Sequence, residues 1–358
     1  MKLENSTFAD VLIAMSGGVD SSVSAYILSK NYKCAGAMMK LFDSAECESG
    51  CCGLSDALDA RSVANVLDMP FYVFNFTKDF EKNVIERFAT EYASGRTPNP
   101  CIDCNKYLKF EKFLNRAREL NIPKIATGHY AKIEFDKAAN RHLLKKSKDD
   151  TKDQTYALYT LTQPQLAALL FPLGDLTKTE VREIAAEMGF INARKKDSQD
   201  ICFAPDGNYA KIVEQYTKKP IVKGNFIDLC GNILGEHRGI INYTYGQRKG
   251  LNVSHAEPLY VAEINAAVNT ITLVTKSDLY AKSLTASNVN LIACQEIVDG
   301  MDIQAKIRYN MEAQSAKVWQ ISKDEIRVEF AEPQRAITPG QAVVLYGDDV
   351  VVGGGIIN

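Results

Sequence analysis

A chain of 358 residues exceeds what one ordinary core holds, so two or three domains are expected. Its composition, 46% hydrophobic and 24% charged, is that of a globular protein, and no run approaches the roughly 18 to 20 apolar residues of a membrane-spanning helix. A formal net charge of −2 excludes a general electrostatic attraction for nucleic acid, so any RNA contact has to be local.

Met1 to Asp10 mixes acidic and basic residues and does not read as a basic leader, so the expected location is the cytoplasm. Asp10 to Met15 is a predicted apolar strand, followed after Gly17-Gly18 by an amphipathic helix from about Asp20 to Ser29. Cys34 to Met39 suits a buried strand, Leu54 to Leu67 carries helical spacing, and Phe71 to Phe76 is again a strand. Helices near Asp79 to Tyr92 and Lys106 to Leu120 lead to a strand at Lys124 to Thr127. This alternation predicts an α/β domain with a parallel, doubly wound sheet. Beyond about Asp206 short segments replace the helices, at Ile221 to Leu229, Gly239 to Tyr245, Leu259 to Ile264 and Thr270 to Val274. Met301 to Ile307, Ser315 to Ile321, Glu325 to Phe330 and Ala342 to Tyr346 fit a small β-barrel, with Pro339-Gly340 as a turn. The expected domains are therefore 1–206, a small central β-rich domain at 207–276, and a C-terminal barrel at 277–358.

Ser16-Gly17-Gly18-Val19-Asp20-Ser21-Ser22 joins the first strand to its helix, where backbone N–H groups and the helix dipole can hold an anion. Glycine permits close backbone approach and the serine hydroxyls add donors; the Gly-Lys-Ser/Thr ending of a Walker A loop is absent. The plain alternative is a serine-rich helix cap. The string resembles the pyrophosphate-binding loop of the ATP pyrophosphatase (PP-loop) superfamily, whose members split ATP between the α and β phosphates and adenylate a carbonyl oxygen.

The nine cysteines cluster unevenly, and without an export signal they read as thiols, metal ligands or core residues rather than disulfides. Thr97-Pro98-Asn99-Pro100-Cys101-Ile102-Asp103-Cys104 is a stiff loop predicted to enter a helix at about Cys104, where the dipole would stabilise a thiolate. Asp197-Ser198-Gln199-Asp200-Ile201-Cys202-Phe203 sets another cysteine in a polar loop. Two separated cysteines suit sulfur transfer, one carrying a persulfide and the other resolving it. Taken alone, either would be an ordinary packed residue.

SGGVDSS, TPNPCIDCNKYLKF, ATGHYA, KDQTYAL, DSQDICF and YTYGQRKGL together resemble the tRNA-specific 2-thiouridylase family along nearly the whole chain. The resemblance implies an adenine-nucleotide alpha hydrolase-like N-terminal domain and a tRNA-uridine 2-sulfurtransferase acting on the wobble uridine, position 34. In that chemistry the uracil 2-oxygen is adenylated from Mg-ATP and a cysteine persulfide then supplies sulfur. Cys104 would be the nucleophile and Cys202 the persulfide carrier. The ATP site would comprise Ala14, Met15, Ser16, Gly17, Gly18, Val19, Asp20, Ser21, Met39 and Gly128. Asn99, Pro100 and Cys101 would face the everted base, while His129, Lys152, Asp153, Gln154, Arg308, Tyr309 and Gln341 would contact tRNA. Lysine, glutamate and glutamine tRNAs and a sulfur-donor protein, such as a cysteine desulfurase or sulfur carrier, are the implied partners, with no membrane.

Family members often carry an aspartate where this chain has Cys101. Cys101, Cys104 and Cys202 can also be read as ligands of an iron–sulfur cluster, and Cys47, Cys51 and Cys52 as zinc ligands or as part of a cysteine-bearing loop. Arg141, Lys145, Lys146, Lys148 and Lys152 form a local basic run, suited to phosphate or to nothing beyond a solvated hairpin. Two rival functions stand beside the thiolase: a superfamily ligase or amidotransferase acting on a small carboxylate or nucleotide, and a non-catalytic RNA-binding protein switched by nucleotide.

Overall fold

The computed structural model describes residues 8–42, 54–195, 201–204, 207–218 and 220–358. Two compact units divide the chain. The first draws on Met1–Asn83, Cys101–Pro205 and Asp349–Val351, the second on Val84–Pro100, Asp206–Asp348 and Val352–Asn358. The stretch 84–100 groups with the second unit.

The first unit holds strands β1 (Val11–Ala14), β2 (Cys34–Lys40), β3 (Phe71–Asn75) and β4 (Lys124–Ala126), a hairpin of β5 (Lys132–Asp136) and β6 (Arg141–Lys145), and the short β7 (Leu169–Leu170). Parallel pairing runs β3-β2-β1-β4-β7. Every residue of β1 is buried, as expected for a strand covered on both faces, where the apolar run is continuous. Helix α1 (Val19–Ser29) contributes Val19, Val23, Ala25 and Leu28 to the same core as Val11, Ile13 and Met15, and α2 (Leu54–Val66) adds Ala60, Val63 and Ala64. Because β2 and β4 flank β1 and the strand order leaves it in opposite directions, the C-terminal ends of β1 and β4 bracket a topological switch point. Open α/β sheets bind ligands in that crevice.

The helix predicted near Lys106 begins earlier. Pro100 occupies its first position, where a missing N–H costs nothing because that donor has no helical partner. A nine-residue π segment, Cys104–Lys112, follows and runs into Phe113–Glu119. Cys104 therefore lies a turn inside the helix rather than at its start, and the dipole acts on it more weakly than its sequence position implies.

In the second unit, β8 (Gly224–Ile227), β9 (Ile233–His237), β10 (Tyr260–Asn265) and β11 (Thr270–Val274) form a sheet ordered β10-β11-β8-β9 around Phe226, Val261, Ile271 and Leu273. The expected strand at Gly239 to Tyr245 is instead a turn, since Gly239 has φ 105° and a 3-10 turn occupies Ile240–Asn242. A barrel follows, built from β12 (Tyr280–Leu291), β13 (Met301–Lys306), β14 (Gln314–Ser322), β15 (Glu325–Arg335), β16 (Ala342–Gly347) and β17 (Val350–Ile357). Its order is β12-β15-β14-β13-β16-β17, and pairing of β12 with β17 closes it. Sequence reading missed both closing strands. β17 contains Gly353 and Gly355, which look like breakers but face the β12 backbone so closely that a Cβ would lie 2.5 Å from the Asn290 oxygen and 2.9 Å from the Ser287 oxygen. No described helix is long and apolar enough to cross a membrane.

Candidate active site

The Ser16 to Ser22 loop opens at the switch point. Gly17 has φ 75°, and a Cβ there would sit 2.3 Å from the Asp56 carbonyl oxygen, so neither the conformation nor the space admits a side chain. Gly18 caps α1 without any side-chain bond, and the first intrahelical bond is from Ser22 N–H to the Gly18 oxygen, 3.3 Å. The N–H groups before Ser22 are the unpaired donors of a helix N-terminus and suit a phosphate. Ser21 and Ser22 differ from their expected role. Their hydroxyls donate to the Gly18 carbonyl at 2.9 and 3.1 Å, and Ser21 Oγ accepts from the Ser16 amide at 3.2 Å, so these hydroxyls hold the loop's shape. Ala14, Met15 and Val19 are buried core residues, Met39 is half-buried on β2, and Ser16 is exposed. Gly128 follows β4 and passes α1 so closely that a Cβ would lie 2.9 Å from both the Asp20 carbonyl carbon and the Ser21 nitrogen. A side chain there would crowd the Ser21 amide.

Asp20 is clamped. Lys178 Nζ donates to both carboxylate oxygens at 2.7 and 2.8 Å, and the Tyr130 hydroxyl donates to one of them at 2.8 Å. Behind the loop Asn192 donates to the Gly17 carbonyl and to Ser22 Oγ, both at 2.9 Å. Lys195 reaches the Gly17 carbonyl at 3.3 Å, Asp56 at 2.5 Å and Asp59 at 2.7 Å. Burial opposes the Lys195 charge, yet the two carboxylates outweigh it and raise its pKa above the ordinary lysine value. Sequence reasoning missed Lys178, Asn192 and Lys195. Only Tyr130, inside ATGHYA, lay in a segment already singled out, because pairings 158 to 178 residues apart leave no local pattern.

The two sulfur-bearing segments attach to one turn. Lys112, on the Cys104 helix, donates to Asp79 at 2.9 Å, and Phe203, next to Cys202, lies 5.9 Å from Phe80 in an edge contact. Cys104 and Cys202 are partly buried, Cys101 is exposed, and none of the six described cysteines forms a disulfide. No group of three or more His, Cys, Asp or Glu side chains poised for a metal occurs among the described residues. Asn105 is buried and donates to the Ala157 carbonyl at 3.0 Å, linking the cysteine helix to the KDQTYAL segment. Asp103 stands near enough to the buried Tyr159 for its charge to add to burial and Tyr156 in pushing that phenol's pKa up. Cys47, Cys51, Cys52 and Asp197 to Asp200 lie outside the described residues.

Several expected tRNA contacts have structural partners. His129 is buried, bonded through Nδ1 to Thr127 Oγ1 at 2.6 Å, and burial followed by the Lys109 charge holds its pKa well below the usual range. Asp153 accepts from the Ser147 amide at 3.1 Å, and Gln154 Oε1 accepts from the Tyr130 amide at 2.9 Å. The basic run is partly neutralised, since Lys145 pairs with Glu134 and Asp349 and Lys148 with Glu180. In the second unit Asn99 is half-buried, Pro100 buried and Tyr309 exposed. Arg308 donates to the Ala336 carbonyl and to Thr338 Oγ1, and Gln341 donates to the Thr97 carbonyl at 2.6 Å.

A parallel sheet with an uncapped, glycine-led helix at its switch point defines an adenine-nucleotide alpha hydrolase-like domain, and residues 9–206 match the family model described as tRNA methyl transferase HUP domain. Residues 210–275 match a tRNA methyl transferase PRC-barrel domain, and 281–357 an aminomethyltransferase beta-barrel domain. The tRNA-specific 2-thiouridylase MnmA of Clostridioides difficile (strain 630) is 52% identical over 351 residues, 97% of each chain. That of Lachnoclostridium phytofermentans is 51% identical over 353 residues, 97% of this chain and 99% of the relative. The chain belongs to the tRNA-specific 2-thiouridylase family. Among solved structures, the U34-tRNA thiolase NcsA from Methanococcus maripaludis with its 4Fe-4S cluster overlaps at TM-score 0.35 and 18% identity, over 59% of this chain and 72% of that one.

Proposed function

We propose that this chain replaces the 2-oxygen of the wobble uridine of tRNA, position 34, with sulfur, using ATP to activate the oxygen and a cysteine persulfide to deliver the sulfur. The observation that carries the reading is the uncapped first turn of α1, with donors facing the switch-point crevice and Gly128 leaving them uncovered. The amides there would hold the phosphates, and charge that builds as the uracil oxygen attacks the α-phosphorus would meet donors already in place. Magnesium bound with ATP supplies further neutralisation of the phosphates. Asp20 is committed to Lys178 and Tyr130, so its part is to fix the start of α1.

Pyrophosphate leaves in the first step and the adenylated carbon becomes electrophilic. The terminal sulfur of persulfidated Cys202 then bonds to that carbon, and AMP departs with the former uracil oxygen. Cys104 attacks the remaining Cys202 sulfur, the S–S bond breaks, and a Cys104–Cys202 disulfide takes up the oxidising equivalent. Such a bond requires Cα atoms within about 7 Å. An external thiol reductant then restores both thiols. A cysteine desulfurase or sulfur carrier would load Cys202, in the cytoplasm, and lysine, glutamate and glutamine tRNAs are the proposed substrates.

Cys202→Ser should abolish sulfur transfer while tRNA-dependent pyrophosphate release persists. Sulfur incorporation by that variant at the wild-type rate would overturn the role given to Cys202. Pyrophosphate release stimulated by a small acid and indifferent to tRNA would favour the ligase reading.

A further inference from the structure

Two side chains hold Asp20, and the backbones of both are held in turn by one short segment, residues 149–154. Lys178 is the first residue of the helix Lys178–Glu187, and its amide, a donor that no helical carbonyl can reach, donates to Asp149 Oδ2 at 2.9 Å. Tyr130 meets Gln154 through two backbone groups. Its amide donates to Gln154 Oε1 at 2.9 Å, and its carbonyl accepts from the Gln154 amide at 3.0 Å. From these anchored backbones the Lys178 ammonium and the Tyr130 hydroxyl reach the Asp20 carboxylate. Every residue in this line of contacts lies in the first unit.

The segment itself is stiff. The Asp149 carbonyl accepts from the Lys152 amide at 3.0 Å and from the Ser147 hydroxyl at 2.9 Å, while its Oδ1 accepts from the Thr151 amide at 3.1 Å and the Thr151 hydroxyl at 2.6 Å. Asp153 holds the other end, accepting from the Ser147 amide and the Thr155 hydroxyl. A force applied at Lys152 is therefore passed to Asp149 and Gln154 rather than absorbed within the turn.

Asp20 stands in the first turn of α1, beside the amides proposed to hold phosphate. A carboxylate there suits the helix dipole but repels an anion at the same helix end unless a cation neutralises it. Lys178 supplies that cation, with a side chain only 11% exposed.

We propose that residues 149–154 couple the RNA substrate to the nucleotide site. Contact of tRNA with Lys152 to Gln154 seats the segment, the segment seats Lys178 and Tyr130, and the fixed, neutralised Asp20 raises the affinity of the phosphate loop for ATP. Asp149, Tyr130 and Lys178 are positioning residues in this scheme, and Gln154 serves both the RNA and the Tyr130 backbone. The proposal rests on the thiolase reading and adds an order to it: ATP is gripped most firmly when the RNA to be adenylated is in place. Linkage then requires ATP to tighten tRNA by the same factor.

The test measures, on the full chain, affinity for a non-hydrolysable ATP analogue with and without a saturating unmodified tRNA transcript, and affinity for the transcript with and without the analogue. In the wild type each ligand should tighten the other by an equal factor of about 5 to 20. In Tyr130→Phe, which loses only the hydroxyl of a buried residue, and in Asp149→Ala, that factor should fall to within about twofold of unity, with affinity for tRNA alone within about twofold of wild type. Adding Asp149→Ala to Lys178→Met should lower the factor no further than Lys178→Met does, because both act through one contact. Absence of coupling in the wild type would overturn the proposal, as would a wild-type factor in Tyr130→Phe or in Asp149→Ala. The thiolase reading is judged separately, by whether the wild-type chain moves sulfur from a persulfide donor into the transcript. Without any RNA, hydrogen exchange at the Ser22 amide, which is bonded to the Gly18 carbonyl, should quicken in Asp149→Ala; unchanged exchange would sever the segment from the phosphate loop.

Discussion

The proposed phosphate loop and the proposed target-base loop hold their backbones in place by different means. Each must hold backbone in a fixed place, and each does so where a glycine lets two backbones touch: Gly17 against Asp56 and Gly128 against Asp20 for the first, Gly95 against Ile264 and Gly340 against Thr97 for the second. The phosphate loop adds side chains, since Ser21, Ser22, Asn192, Lys195 and the Asp20 clamp all close on it. At Thr97 the support is mostly carbonyls and amides from a barrel turn 244 residues away. The loop proposed to present N–H groups to phosphate has dense polar bracing; the loop proposed to meet the base is held by its backbone.

The largest effect that would sharpen this contrast is expected from Gly17→Ala. Alanine at φ 75° is strained, and its Cβ meets a carbonyl oxygen that cannot rotate away, so ATP-analogue affinity should fall by at least about a hundredfold. Near-normal binding would show that the loop is less fixed than its contacts imply. Lys178→Met comes next. It leaves the Asp20 carboxylate without its cation in a partly buried site and should cost about 1 to 3 kcal/mol of stability, read by chemical denaturation. ATP-analogue affinity should drop about tenfold with it; if both quantities hold at wild-type values, the clamp is ornamental.

Acid should weaken the first unit through His129. Burial keeps its folded pKa well below the unfolded value of 6.5, so the unfolded chain binds more protons as pH falls beneath 6.5. Its contribution is complete above 6.5 and is lost as pH drops toward the folded value. His237 shifts in the same direction, so the comparison is between His129→Gln and wild type, with the variant expected to show the shallower loss between pH 6.5 and 5. An identical slope would mean that His129 is not buried neutral in solution. The smallest effect is at the second loop. Thr97→Val removes a buried, unpartnered hydroxyl and should leave stability unchanged or raise it by up to about 1 kcal/mol.

These two loops also mark how far the amino-acid order alone could be followed. β1, its glycine turn and α1 are contiguous, so apolar run, φ-permissive residues and helix start all made this strand–turn–helix unit legible within a dozen positions. Cys104 and Cys202 are singled out by their motifs, but the helix start was not legible, because Pro100 reads as a breaker while acting as a first helical residue. Gly353 and Gly355 hid β17 for a related reason: a strand glycine chosen for close approach looks like a loop. Lys178 and Lys195 carry no local signal at all. Each looks like an ordinary polar surface residue until the fold brings its partner from more than a hundred positions away.

The central claim is that one site uses ATP to activate a uridine oxygen and a chain thiol to replace it. Its most direct measurement follows radiolabelled sulfur from a persulfide donor into unmodified tRNA, together with AMP release, for the wild-type chain and Cys202→Ser. The account expects one sulfur per AMP in the wild type, none without ATP, and none in Cys202→Ser. Labelled tRNA formed without ATP, or formed equally well by Cys202→Ser, would contradict it.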